Sequence, residues 1–289
     1  MNELESISNR ERNKIFINQN SVCQSIIHNL KEIEVFWDDF GFLSVSRPFI
    51  VCRKYLFSLQ MILDSIEFTA GNIISCCEFG CLADANTLLR KYRDDMFFYL
   101  YIIAYDTYKF EESSLVKISE MEIIIEKWIN NNLVNFHIGN ILKTVASFPE
   151  MQRAIEKYNL KSFFDSISNR LNNYVHSNGI TYYNQRVNGY IINNLPEEMK
   201  MILDDMRFIT VSFLFLITLC SPITIMSTDY VNCLDLNIDP PYGSEYWVAS
   251  FIEKFFNDNL NLIDKNCIDY LRENTPMQFN ECQQIIETV

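Results

Sequence analysis

Residues 82–103, LADANTLLRKYRDDMFFYLYII, decide the fold class. Leu82, Leu89 and Met96 recur at intervals of seven, and Leu100 and Ile103 follow at four and three. That spacing lines them along one face of an α-helix, and the aromatic residues between them widen the stripe into one that must be buried. On the same helix Arg90, Arg93 and Asp94 stand at i, i+3 and i+4. They share a face, and Arg90 and Asp94 are spaced as an ion pair. The pair reads either as a structural salt bridge or as a basic contact with an orienting carboxylate beside a site elsewhere.

Helical spacing continues on both sides. Gly80 marks a bend within a helical stretch from Asn72 to Asp106. Before it, the sequence predicts a helix from Pro48 to about Thr69, with Pro in the first turn and Tyr55, Leu59, Ile62 and Ile66 inward. A further helix over Ser21–Phe40 presents Val22, Ile26, Ile27, Leu30, Ile33 and Phe36. The polar residues 1–20 read as frayed or as a short helix. Downstream, helices are expected over 119–134, Met151–Tyr158 and Phe163–Tyr174, with 135–139 an irregular exit and 181–194 a surface loop or short hairpin.

Leu195-Pro196-Glu197-Glu198 opens another helix, with Pro and acids in its first turn. It runs into Phe208–Met226, nineteen residues without a charge. That length permits a membrane span. The hydroxyls of Thr210, Ser212, Thr218, Ser221 and Thr224, the breaker Pro222 and the lack of flanking cations beyond Arg207 favour a helix buried on all sides. After the turn at Asp239-Pro240-Pro241-Tyr242-Gly243, two amphipathic helices are expected near Ser244–Asn257 and Leu262–Glu273. Their aromatic stripe (Tyr246, Trp247, Phe251 and Phe255) reads as core or subunit contact. The expected architecture is an all-α multi-helix bundle. Residues 1–228 form its main helical domain, and residues 229–289 form a C-terminal helical extension packed on the same core.

Composition agrees. Of 289 residues, 48% are hydrophobic and only seven Gly and seven Pro punctuate the chain, too few for the tight turns of a sandwich or barrel. The net charge of −13 opposes constitutive binding to a polyanion, although a local basic cleft stays compatible with it. Nine cysteines, an odd number, and a polar N-terminus without a signal-peptide core predict reduced thiols and a cytoplasmic protein. Cys76, Cys77 and Cys81 lack zinc-ligand spacing and read as packed core residues.

Reactive chemistry concentrates at residues 169–179, NRLNNYVHSNG. His28 and His137 read as isolated polar residues, and three scattered histidines build no zinc motif. His176 has company. Arg170 lies six residues before it, Asn172, Asn173 and Asn178 surround it, and Gly179 offers a helix stop. A guanidinium binds phosphate in forked fashion and keeps its charge, while an imidazole takes and gives a proton near neutral pH.

Arg170-x₅-His176 resembles the Arg-x₄₋₆-His signature of the HEPN superfamily, and the Leu88–Asp94 run resembles the packed Arg/acid helix of its members. The resemblance covers about residues 50–220. Leu171 follows the Arg where members often carry a polar residue, and Gly179 stands where some toxins carry a modified tyrosine. The resemblance implies an all-helical HEPN-like core and a homodimer with a shared cleft. It also implies a metal-independent endoribonuclease of toxin-like or antiviral defence systems, acting on RNA without a cofactor. Arg170 and His176 would be catalytic. Asn172, Asn173, Asn178 and Arg93 would bind substrate, and a regulatory protein partner would restrain the enzyme.

Two other readings stand beside it. One is a non-catalytic acidic helical module, a partner or regulator in a defence system. The other is a membrane-associated effector using Phe208–Met226. Other enzyme classes find no motif: there is no G-x₄-G-K-[ST], G-x-G-x-x-G or G-x-S-x-G, and the acidic pairs Asp38-Asp39, Asp94-Asp95 and Asp204-Asp205 read as solvated helix faces.

Overall fold

The computed structural model describes residues 8–43, 49–110, 115–133, 137–176 and 194–279. They form twelve α-helices and one β-hairpin, an all-α multi-helix bundle. Helix α1 (Asn9–Gln19) starts on a capping box, in which the Ser8 hydroxyl accepts from the Glu11 amide and the Glu11 carboxylate accepts from Ser8. Helix α2 (Ser21–Leu43) runs through Gly41 and buries Ile26, Ile27, Leu30, Ile33 and Phe36.

Where a helix is expected from Pro48, residues 49–58 form a β-hairpin and the helix starts only at Gln60. Strands β1 (Phe49–Cys52) and β2 (Tyr55–Ser58) pair antiparallel, with Val51 opposite Leu56 and Cys52 opposite Tyr55. Ile50 and Cys52 are buried while Phe49 and Val51 are exposed, the two-residue alternation of a strand. Arg53 takes a left-handed backbone, φ 52°, at the two-residue turn. Its guanidinium then reaches Glu122 and Glu126, and the Tyr55 hydroxyl meets Asn130. These contacts tie the hairpin to helix α5 (Leu115–Ile129). Tyr55 therefore sits half-buried in a strand, and only Leu59, Ile62 and Ile66 of the expected inward set reach the core.

Helices α3 (Gln60–Glu78) and α4 (Leu82–Tyr108) form a hairpin closed at Gly80, φ 67°. The Gly80 amide donates to the Cys77 carbonyl and the Cys81 amide to the Cys76 carbonyl, the paired bonds of a Schellman motif. After α5 come two short helices, α6 (Ile138–Val145) and α7 (Pro149–Lys157), and the longer α8 (Leu160–Val175). Helix α6 was not expected. His137 is its exposed N-cap, and Ile138, Ile141, Leu142 and Val145 form its buried face.

Helix α9 (Leu195–Cys220) is the central element, and every residue from Phe208 to Cys220 is buried. It is sheathed by protein, and Pro222 follows its end. Among the described residues no helix is long and apolar enough to cross a membrane. A buried hydrogen-bond chain joins three helices at its centre. Trp37 Nε1 donates to the Tyr92 hydroxyl, Tyr92 to Thr210 Oγ1, and Thr210 to the Met206 carbonyl. Each polar group has a partner, so the chain fixes register without an orphan.

Helices α10 (Asp229–Asp235), α11 (Ser250–Asn259) and α12 (Cys267–Asn274) complete the bundle. The expected Ser244–Asn257 helix is split: Ser244–Tyr246 is a short 3-10 turn and α11 starts at Ser250. The helix expected from Leu262 starts at Cys267, after a 3-10 turn over Leu260–Leu262. Phe251 and Phe255 pack on Phe36, whereas Tyr246 is exposed. One apolar cluster extends from Ile17 to Phe279.

Candidate functional site

Helix α8 carries the Arg/His segment and lies against α4 and α9. An aromatic triplet sets its position: Phe97 and Phe164 meet edge to face at 4.6 Å, and Phe164 meets Phe208 at 5.4 Å. Contacts pair Asn86 with Arg170, Arg93 with Ser168 and Phe97 with Phe164, so α4 and α8 run antiparallel. The same end of the three-helix contact collects a polar cluster.

Arg170 is the centre of that cluster. Its Nη1 donates to Asn86 Oδ1 at 2.8 Å, and its Nη2 forms an ion pair with Asp205 on α9. Asn86 is itself buried and donates to the Leu82 carbonyl at 2.8 Å, which fixes its amide. Burial lowers the guanidinium pKa, while Tyr174 and Glu198 act in the opposite sense. The side chain is 25% exposed and that of Asp205 15%, so neither is free to swing into solvent.

Arg93 lies deeper. It is 2% exposed, and its donors reach Asp94 Oδ1 at 2.9 and 2.7 Å and Ser168 Oγ at 2.8 Å. In this conformation the side chain expected to touch substrate clamps α4 to α8. Arg90 Nε stands 3.6 Å from Asp94 Oδ2, the ion pair that the spacing suggested, and its buried Nη1 has no hydrogen-bond partner.

His176 is exposed and forms the C-cap of α8, its amide donating to the Asn172 carbonyl at 3.0 Å. Asn172 is half-buried and Asn173 exposed. Asn178 and Gly179 lie outside the described residues. Six residues advance a helix by about 9 Å and leave the two side chains about 120° apart around its axis. Arg170 therefore flanks the buried face made by Leu160, Phe164 and Leu171, while His176 points away from it. Within one chain the two groups have no common partner among the described residues.

Asn86, Ser168 and Asp205 are the members of this cluster that sequence reasoning did not single out for the site. Asn86 and Asp205 stand 84 and 35 residues from Arg170, too far for any local spacing to flag them. Among the described residues no group of three His, Cys, Asp or Glu side chains could hold a metal ion. Cys77 is buried in the core as expected, and Cys76 and Cys81 are half-buried. Burial pushes the Cys76 thiol up to about 11, which keeps it protonated and unreactive.

No protein-family model matches the chain, and no curated protein or solved structure matches it. The functional reading therefore rests on the residues themselves.

Proposed function

We propose that the chain is a metal-independent endoribonuclease of HEPN type that acts as a homodimer in defence or toxin-like growth arrest. One observation carries the reading. Arg170 is oriented by side chains from two other helices, while His176 stands open to solvent at the end of the same helix. Because the two groups diverge around the axis, one phosphodiester meets both only where two copies bring their α8 ends together across a twofold axis. His176 removes the proton of the RNA 2′-hydroxyl, or protonates the departing 5′-oxygen. The 2′-oxygen attacks phosphorus, the P–O5′ bond breaks, and the products are a 2′,3′-cyclic phosphate and a 5′-hydroxyl. Arg170 has donors beyond those spent on Asn86 and Asp205, and they face the extra negative charge of the phosphorane. Asn172 and Asn173 position the phosphate.

The alternative is a non-catalytic acidic helical module that regulates or partners a defence protein. The Asp205 carboxylate favours it, since that group already neutralises Arg170. So does the net charge of −13. Incubation with end-labelled RNA in EDTA separates the two. The nuclease yields cyclic-phosphate ends, and His176→Ala lowers cleavage about 10²- to 10⁴-fold, the usual contribution of a general acid–base. Its melting temperature stays unchanged, because the side chain is exposed. Cleavage by His176→Ala at the wild-type rate, or none by the wild-type dimer, leaves the module.

A further inference from the structure

A groove of about 380 Å³ lies between α2, α9 and α11, and Arg207 on its wall stands about 200° around α9 from Asp205 of the Arg170 cluster. That volume falls in the range of small-molecule sites. Its floor is aromatic. Phe36 is buried, and Phe251 and Phe255 approach it with ring centroids 5.5 and 4.5 Å away.

The charges around this floor are unevenly matched. Arg207 is the sole charged residue between Met206 and Thr228, and it lies half-buried on the groove wall. Its Nη2 donates to Asn29 Oδ1, and among the described residues it has no carboxylate partner. A half-buried guanidinium held by one neutral amide leaves most of its donors without an anion. Lys254, exposed on the α11 rim, likewise has no carboxylate partner among the described residues. Lys31, by contrast, is taken by Glu78 at 2.9 Å, and Glu32 stands 3.9 Å from His28.

The groove also holds acids, and their placement sets the direction of an occupant. Asp39 follows Asn29 by ten residues on α2, about 15 Å along the axis, so it marks the end far from Arg207. Phe36 lies between them. Asp258 sits one turn beyond Lys254 on α11.

We propose that this groove binds a small, flat aromatic molecule carrying one acidic group, with the acid on Arg207 and the ring against the half-buried Phe251 and Phe255. The site is independent of the RNA-cleaving reading. It is tested by calorimetric titration of the full chain with 2-naphthoate, 2-naphthamide and 2-naphthylmethylamine, which share one ring body and differ in head-group charge. The carboxylate is expected to bind at a single site at least about tenfold tighter than the amide, the value of one charge-assisted hydrogen bond. Arg207→Met removes that preference without weakening the amide, and Lys254→Glu, at an exposed position, weakens the carboxylate alone. Equal binding of carboxylate and amide overturns the proposal, as does preference for the amine or no binding of the carboxylate. If Arg207→Met fails to fold, Lys254→Glu decides, and unchanged carboxylate affinity in that variant overturns the proposal.

Discussion

A guanidinium that is 25% exposed and faces a carboxylate that is 15% exposed is held in place by its partner, and each depends on the other for solvation. Removing Arg170 leaves Asp205 with a buried charge and Asn86 with a vacant acceptor. Arg170→Ala is therefore expected to cost about 2–3 kcal/mol of stability, and Asp205→Ala a similar amount. The double variant should lose about 1–2 kcal/mol less than the sum, because the second removal no longer strands a charge. Urea unfolding of the four proteins measures this. Strict additivity would show that the two groups are not coupled and would remove Asp205 as the positioner of Arg170. In the sequence, the Arg170–His176 spacing was visible because it is local. The carboxylate and amide that hold Arg170 come from α9 and α4, and only the tertiary packing brings them near.

At the scale of elements, the legible parts are those with a long, one-sided apolar pattern. The stripe from Leu82 to Ile103 and the uncharged run from Phe208 lie in α4 and α9, both buried. The hairpin at Phe49–Ser58 reads as helix in the sequence because Pro48 suits a helix start and the apolar residues fit either period over so few positions. Tertiary contacts hold the strands, through burial of Ile50 and Cys52 and ion pairs from Arg53 to α5, which begins 62 residues later. Helix α10 has no buried residue and so offered no apolar face to read. Gly80, by contrast, announced its role. Its φ of 67° is left-handed, and a Cβ there would stand 2.8 Å from Asn13 Nδ2 and 3.0 Å from Asn13 Cβ. Gly80→Ala combines backbone strain with displacement of α1, so a loss of about 1–2 kcal/mol is expected in thermal unfolding. An unchanged melting temperature would mean that the α3–α4 turn tolerates another conformation.

Over the whole molecule the acid excess is 37 carboxylates against 24 basic groups, and part of it is concentrated where α2 meets α3. Glu67 shows the consequence. Its pKa is raised, first by burial and then by the charges of Asp38, Asp64 and Glu34. A carboxyl that holds its proton more tightly folded than unfolded favours the folded state below its unfolded pKa. That contribution disappears as pH rises through the folded value. At neutral pH the ionised Glu67 therefore carries a desolvation cost and a repulsion that Gln would relieve. Glu67→Gln is expected to raise stability by about 0.5 kcal/mol at pH 7.5, less in high salt, and by nothing at a pH of about 4 or below. Denaturant midpoints of the two proteins across that range provide the check. A gain of equal size at both ends would trace it to packing or hydrogen bonding instead of charge, and no gain at pH 7.5 would show that the four carboxylates are already screened from one another by solvent.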